Sequence, residues 1–383
     1  MGLQLRARRA RRSTARAAVG ASVLLALATV VSGCAPPAPS LAVSTVVGGL
    51  NHPWDLAFTP DGTMLFTERA GRIDALVDGQ TRVLAAPADV VVQNETGMLG
   101  LAVDPQFATN RRIYTCASSN LATPADVRVV RWTVDAGYTT LTNRTDIVTG
   151  IPNNDGYHSG CRLRFDANDP NYLFVGTGDA HIGTSAQDPQ GLAGKVLRVD
   201  RDGHGAPGNP GGGFRAEIYN YGHRNLQGLA FRPTNGQLYT VEHGPACNDE
   251  INKAVNGANY GWDPAGPTGV YVLDEALNPM TDLVKFPGAT SAVFSSGCPT
   301  IAPSGATFLT GAQWGAWDGR MAMTTLKDQT LFMVGFGDDD TVTSADRVLT
   351  GQGRLRSAVQ GPDGNLYLST DADAGAILKV TPS

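Results

Sequence analysis

The chain has almost no helical periodicity, no apolar run beyond Val31 long enough to cross a bilayer, and no CxxC or HxxxH spacing. These absences argue against a helical bundle, a membrane-spanning protein and a zinc site built from its cysteines. Acidic residues are missing from the first 33 positions, which instead carry Arg6, Arg8, Arg9, Arg11, Arg12 and Arg16. Without those six arginines, 24 basic residues (30 − 6) face 35 acidic ones, a net charge of −11. Such a surface makes nucleic acid a poor partner. No internal linker divides the chain, although its length exceeds the usual size of a single core. A closed, repetitive architecture resolves that conflict.

The arginine-rich start is followed by an apolar stretch at 17–31, the order of a secretory signal and too short to span a bilayer comfortably. Val31-Ser32-Gly33-Cys34 looks like a bacterial lipobox, in which Cys34 is lipidated and becomes the new N-terminus. An ordinary cleaved signal with an incidental cysteine is the competing reading. Ala35-Pro36-Pro37-Ala38-Pro39-Ser40 supplies the flexible tether that an anchor needs. The expected organisation is a signal at 1–33, a tether at 34–42 and one domain at 43–383. The expected location is the extracytoplasmic side of the cell membrane, held by the lipid alone. Four further cysteines, Cys116, Cys161, Cys247 and Cys298, favour two disulfides in an exported chain. Spacing cannot choose among the three pairings. The expected one is Cys116 with Cys161 and Cys247 with Cys298, because each pair flanks sequence that should meet on one side of the fold.

Six times an alternating apolar strand, a Pro/Asp/Gly/Asn turn and a second alternating strand recur. The clearest copies run from Leu56 to Phe66, Leu229 to Tyr239 and Ala358 to Leu368, and weaker ones begin near Leu101, Leu163 and Ala306. Alternation across an Asp-Gly or Asn-Gly turn is the hairpin signal. Repeated hairpins predict an all-β, six-bladed β-propeller with long functional loops on one face. The irregular spacing puts long loops at 153–159, 178–194, 203–214 and 244–267, where chemistry usually sits. The scaffold alone does not define a function.

His158 lies in the polar loop Asn154-Asp155-Gly156-Tyr157-His158-Ser159-Gly160, and Asp179 ends the following strand in Gly176-Thr177-Gly178-Asp179. A carboxylate beside an imidazole fixes its tautomer and suits it to take an alcohol proton. Alone, the histidine reads as structural and the aspartate as a turn cap. An arginine and two amides in Tyr219-Asn220-Tyr221-Gly222-His223-Arg224-Asn225-Leu226-Gln227-Gly228, Arg224 and Asn225 foremost, offer a clamp for carboxylates or carbonyls of a flat polar ligand. A structural arginine paired with a neighbouring blade is the plainer alternative. Gly244-Pro245 carbonyls, with Asp249 and Glu250 just after, suit a hard cation such as calcium. Arg354 and Arg356, at alternate positions, and Lys327 gather positive charge at one mouth of an acidic protein, which calls for an anionic ligand.

The order Pro53-Trp54, Glu95-Thr96-Gly97-Met98-Leu99-Gly100-Leu101, His158, Gly178-Asp179, Gly194-Lys195-Val196-Leu197-Arg198, Tyr221 to Asn225, Gly244-Pro245, Asp249-Glu250-Ile251-Asn252, Asn259-Tyr260-Gly261-Trp262 and Arg354-Leu355-Arg356 resembles the soluble glucose and aldose sugar dehydrogenases that use pyrroloquinoline quinone (PQQ). The resemblance runs from about Val43 to Pro382. It implies His158 as general base oriented by Asp179, and Gln93, Arg224, Asn225, Lys327, Arg354 and Arg356 as the residues holding the tricarboxylate PQQ. It further implies a cofactor-associated calcium on the carbonyls of Gly244 and Pro245, and Glu250 in a second, structural calcium site. An aldose would then lose its hydroxyl proton to His158 and a hydride to the quinone C5 carbonyl, and an external acceptor would take the electrons. Cys161 departs from the family's usual glycine beside the base. The 270–303 loop has little that matches the family pattern, and Trp314 and Trp317 offer either a sugar-stacking surface or propeller packing.

Two rivals compete. A calcium-dependent lactonase on this scaffold needs several side-chain ligands converging on the axis, where this chain offers arginines and a lysine. A non-catalytic carbohydrate- or protein-binding propeller does not need His158 and the full cationic set together.

Overall fold

The structure, a computed structural model, describes residues 37–266 and 268–383. The signal, the lipobox and Cys34 lie outside the described residues. The described chain folds into six four-stranded antiparallel sheets, the six blades of the predicted propeller. Blade 1 is built from Pro53–Phe58, Met64–Glu68, Arg72–Val77 and Gln80–Ala85. Blades 2 to 5 follow in chain order at 98–152, 160–221, 226–295 and 303–349. Blade 6 takes Leu355–Gln360, Leu366–Thr370 and Gly375–Pro382 from one end of the chain and Leu41–Leu50 from the other.

Every hairpin read from the sequence is the first hairpin of a blade, including the weak copies, whose first strands are Met98–Val103, Gly160–Phe165 and Pro303–Phe308. These first strands lie innermost and pack side by side in a closed ring. Their alternate apolar residues, Leu56, Leu101, Leu163 and Leu229, are buried between neighbouring blades. The core is thus a set of layers rather than one mass, as where Tyr114, Val127 and Val129 of blade 2 meet Leu163, Leu173 and Val175 of blade 3. That layering lets the domain outgrow the usual single core. Among the described residues helix is confined to Phe107–Asn110 and two 3₁₀ segments, Ser185–Gln187 and Ala312–Trp317. Among the described residues no helix is long and apolar enough to cross a membrane.

Near the axis the first strands approach so closely that a Cβ on Gly100 would collide with the Cys161 carbonyl, and one on Gly228 with the Ser304 carbonyl. At the equivalent positions blades 1 and 3 carry Asp55 and Arg162 instead. Arg162 Nη1 lies 2.7 Å from Asp55 Oδ1 with both side chains fully buried, and its guanidinium stacks over Trp54 at 4.1 Å. Burial pushes Arg162 down to about 10. Burial alone would raise Asp55, but the charges of Arg162 and Arg164 hold it below its ordinary value. This pair seals the waist of the ring.

The two faces of the ring differ. The strand starts at Pro53, Met98, Gly160, Leu226, Pro303 and Leu355 open on what we call the mouth face, and the turns closing the first hairpins form the turn face. The 153–159, 178–194 and 244–249 loops lie on the mouth face. The 203–214 segment, grouped with them in the sequence reading, joins strands on the turn face instead, because it follows Lys195–Asp200 as that strand runs away from the mouth. The predicted 244–267 loop also contains a strand, Glu250–Lys253, the third of blade 4. Trp314 and Trp317 are packing residues of the turn face: both are buried, and Trp314 Nε1 donates to the Gly364 carbonyl at 3.0 Å.

Both disulfides pair as expected, Cys116 with Cys161 and Cys247 with Cys298. The first ties blade 2 to the strand that follows His158. The second ties the loop carrying Gly244 and Pro245 to the segment that leads into blade 5.

Candidate active site

The loop before blade 3 carries His158 into the mouth, and the loop after that blade's second strand carries Asp179 beneath it. His158 Nδ1 lies 2.7 Å from Asp179 Oδ1, and both side chains are buried. Asp179 is held in turn by Trp262 Nε1 at 2.7 Å and by the Tyr271 hydroxyl at 2.7 Å. A carboxylate so tied cannot rotate, so it fixes Nδ1–H as the proton-bearing side and leaves Nε2 as the basic atom. Burial depresses the His158 pKa, partly opposed by Asp179 and reinforced by the nearby Arg224 charge. Burial would raise Asp179, but His158, Arg224 and the Trp262 hydrogen bond keep it ionised, below its usual value. Burial thus disfavours the imidazolium, while the carboxylate beneath it stays charged.

The backbone here is strained. His158, Ala180 and His181 have φ of 51°, 54° and 53°, the left-handed region, which costs on the order of 1–3 kcal/mol per residue. The surroundings hold these conformations. The Glu95 carboxylate accepts from the His158 N–H at 3.1 Å. Buried Lys195 donates to the carbonyls of Ser185, Ala186 and Ala193 at 2.7, 3.0 and 2.7 Å, pinning the 178–194 loop from below. Burial lowers that lysine to about 7.

From His158 a continuous bonded path leads to the predicted clamp. Glu95 Oε2 accepts from Asn225 Nδ2 at 3.1 Å, Asn225 Oδ1 accepts from Gln227 Nε2 at 2.9 Å, and Gln227 Oε1 accepts from Arg356 Nη1 at 3.0 Å. Arg356 and Arg354 then converge on one carboxylate oxygen of Asp371, at 2.8 and 3.1 Å. On the other flank Arg224 Nη1 donates to the carbonyls of His243 and Gly244 at 3.0 and 3.1 Å, and the Arg224 carbonyl accepts from the Asp179 N–H at 2.7 Å. Six of the predicted residues, His158, Asp179, Arg224, Asn225, Arg356 and Gly244, therefore share one network, and Arg354 joins it through Asp371. Three buried donors around it, Arg224 Nε, Arg356 Nε and His243 Nε2, have no hydrogen-bond partner among the described residues.

The remaining predicted residues stand apart. Gln93 is exposed on the loop before blade 2, its backbone against Gly156, two residues from His158. Lys327 is exposed on the mouth face of blade 5, and only its backbone N–H, bonded to Ile301, ties it down among the described residues. Glu250 lies behind the clamp, paired in register with Glu242, and burial together with that neighbour pushes it up to about 8. Glu242 accepts from the Arg224 N–H at 2.9 Å, so the acidic pair backs the site. Asp249 is buried rather than solvated and accepts from the N–H groups of Gly244, Ile301 and Ala302, fixing the loop that bears Gly244 and Pro245.

The sequence reading missed Tyr271, Trp262 as a partner of Asp179, His181, His243 and Asp371, and it held Glu95 and Gln227 only as parts of motifs. Tyr271 came from the loop with little family match. His181 sat two residues from Asp179, which was the available signal.

A central mouth lined by a carboxylate-held imidazole and convergent arginines defines the propeller dehydrogenase class, and the comparisons narrow it. The Glucose / Sorbosone dehydrogenase family model matches residues 50–379. The chain belongs to that family and is accordingly an oxidoreductase. It is 33% identical over 346 residues to the aldose sugar dehydrogenase YliI of Escherichia coli, covering 87% of this chain and 91% of that one. It is 28% identical to the quinoprotein glucose dehydrogenase B of Acinetobacter calcoaceticus, covering 87% and 86%. The PQQ-bound aldose sugar dehydrogenase of Streptomyces coelicolor superposes with a TM-score of 0.73 at 30% identity, covering 90% of this chain and all of that one.

Proposed function

We propose that this chain is a PQQ- and calcium-dependent aldose dehydrogenase that oxidises the anomeric carbon of a sugar to the lactone, delivering the electrons to an external acceptor. The observation that carries the reading is the unbroken path from His158 through Glu95, Asn225 and Gln227 to Arg356. The residues fit a flat tricarboxylate: Arg224, Arg354 and Arg356 supply charge, and the unpartnered Arg224 Nε, Arg356 Nε and His243 Nε2 supply buried donors. The donor chemistry also suits calcium, through the Gly244 and Pro245 carbonyls at the mouth and through Glu250 beside Glu242 behind it. When bound, the quinone supplies the hydride acceptor.

The rest falls to the protein. His158 Nε2 takes the sugar's hydroxyl proton, and burial favours the neutral form of the ring that can do so. Asp179 stabilises the imidazolium that forms, and Tyr271 and Trp262 keep Asp179 in place. A lactonase would need side-chain carboxylates where this mouth presents arginines. We further read Cys34 as the lipid anchor of an exported protein, on the lipobox sequence.

The test is dye reduction by purified mature protein with added PQQ and calcium across a panel of aldoses. Turnover that requires both additions supports the reading, and none with any aldose overturns it. Replacing Arg354 and Arg356 together with alanine should lower PQQ affinity at least tenfold, read as loss of the bound quinone absorbance.

A further inference from the structure

Two histidines face each other in the mouth. His181 Nε2 lies 3.1 Å from His158 Nε2, and the rings meet edge to face with centroids 4.0 Å apart. Each ring is tied on its far side to a carboxylate: His158 Nδ1 to Asp179 at 2.7 Å and His181 Nδ1 to Asp155 at 3.0 Å.

The protons can be counted. A carboxylate on Nδ1 requires Nδ1–H, which leaves Nε2 of that ring as a bare lone pair. Both rings meet this condition, so two lone pairs would confront each other across 3.1 Å. That contact is a hydrogen bond only if one further proton lies between the two Nε2 atoms. We propose that His181 is a positioning residue that shares a single proton with His158 across their facing Nε2 atoms, capping the base in the resting protein until that proton leaves.

Exposure gives the proton a way out. The side chains of His158, His181 and Asp155 are 6%, 23% and 42% exposed, a staircase from the base to solvent. Loss of the proton breaks the shared Nε2–H bond and passes that proton to water at the more exposed edge of His181, while both rings keep Nδ1–H on their carboxylates, so the two Nε2 lone pairs repel and the contact opens. His158 Nε2 is then a free lone pair facing the mouth. The other groups facing the pair are Tyr157, which stacks on His181 at 5.2 Å, Tyr271, 4.9 Å from His181, and Arg224 and Glu95 beside His158. Glu95 and the two aspartates favour the shared proton, and Arg224 opposes it.

The kinetic consequence rests on the proposed dehydrogenase activity, whereas the shared proton does not, so two measurements separate them. In the protein without cofactor, ¹⁵N spectra of histidine-labelled material should show the His158 ring titrating about one pH unit lower in His181→Phe than in the parent. Asp155→Asn should move it the same way by less. His181→Gln keeps a hydrogen bond but holds no ionisable proton, and it must behave as His181→Phe; a parent-like titration in His181→Gln would mean a purely structural role and overturn the cap. In the PQQ- and calcium-loaded enzyme the acid limb of kcat/KM should shift by the same unit, giving about tenfold higher kcat/KM on that limb in His181→Phe. The ¹⁵N shift without aldose turnover in any form sinks the dehydrogenase reading alone. Turnover with an unmoved acid limb and unmoved ¹⁵N titration sinks the cap alone.

Discussion

The two faces of the ring solve different problems with the same residue types. On the turn face Asp61, Asp104, Asp166, Asn235 and Asp363 each accept the backbone N–H two residues on, at 3.1, 2.8, 2.8, 3.0 and 3.1 Å, so five of the six first hairpins close with their own atoms. On the mouth face the partners are remote: Trp262 reaches Asp179 across 83 residues, Asn225 reaches Glu95 across 130, and Arg356 reaches Gln227 across 129. These hairpin turns are closed locally, while the mouth is assembled by the ring and gathers left-handed backbone at His158, Ala180 and His181 beside the unpartnered donors of Arg224, Arg356 and His243. Hairpins that close with their own atoms leave the mouth to carry strain and unmet charge, the usual condition of a functional site.

That contrast can be broken at graded depths. At the mouth, His158→Ala should lower kcat on the order of 10²- to 10⁴-fold while the protein still binds PQQ, because the base is lost and the clamp remains. Undiminished turnover would remove His158 from the chemistry. At the waist, Asp55→Ala leaves Arg162 buried without its counter-charge and should cost about 3–5 kcal/mol, read from the denaturant midpoint. A loss below about 1 kcal/mol would show that Arg162 finds other partners. On the turn face, Asp61→Ala removes the bonds from Thr59, Thr63 and Tyr138 and should cost about 1 kcal/mol with turnover unchanged. Burial would raise Asp61, but the hydrogen bonds from Thr59, Tyr138 and Thr63 together hold it at about 2. Because its folded pKa is depressed, its contribution is complete above the unfolded value of about 4 and fades as pH falls towards 2. The gap between parent and Asp61→Ala stability should therefore close in acid, and a gap constant with pH would mean that the carboxylate charge plays no part.

The same division explains what the sequence made legible. Hairpins such as Leu56 to Phe66 were readable because alternation, turn and burial are all encoded within a dozen positions. His158, Asp179, Arg224, Asn225 and the two arginines were readable as separate motifs, and the family resemblance joined them. Tyr271 was not, because the 254–293 segment leaves blade 4 on the turn face and reaches the mouth only through tertiary contacts, as where Asn259 pairs with Tyr221 and Trp262 N–H bonds to the Gly222 carbonyl. Gly100 and Gly228 read as ordinary strand glycines until neighbouring strands closed on them. Asp55 and Arg162 stood 107 positions apart (162 − 55), with nothing local to announce that they meet at the axis.

The strand that completes blade 6 sets an order of events during synthesis. Leu41–Leu50 pairs with Gly375–Pro382 alone. At about 5–20 residues per second, roughly 330 residues must be made before that partner exists, so the strand waits on the order of tens of seconds with its ladder unfilled. Among the first segments of the domain to emerge, it is therefore among the last to dock. The ring clasps only when the final strand is available to receive it.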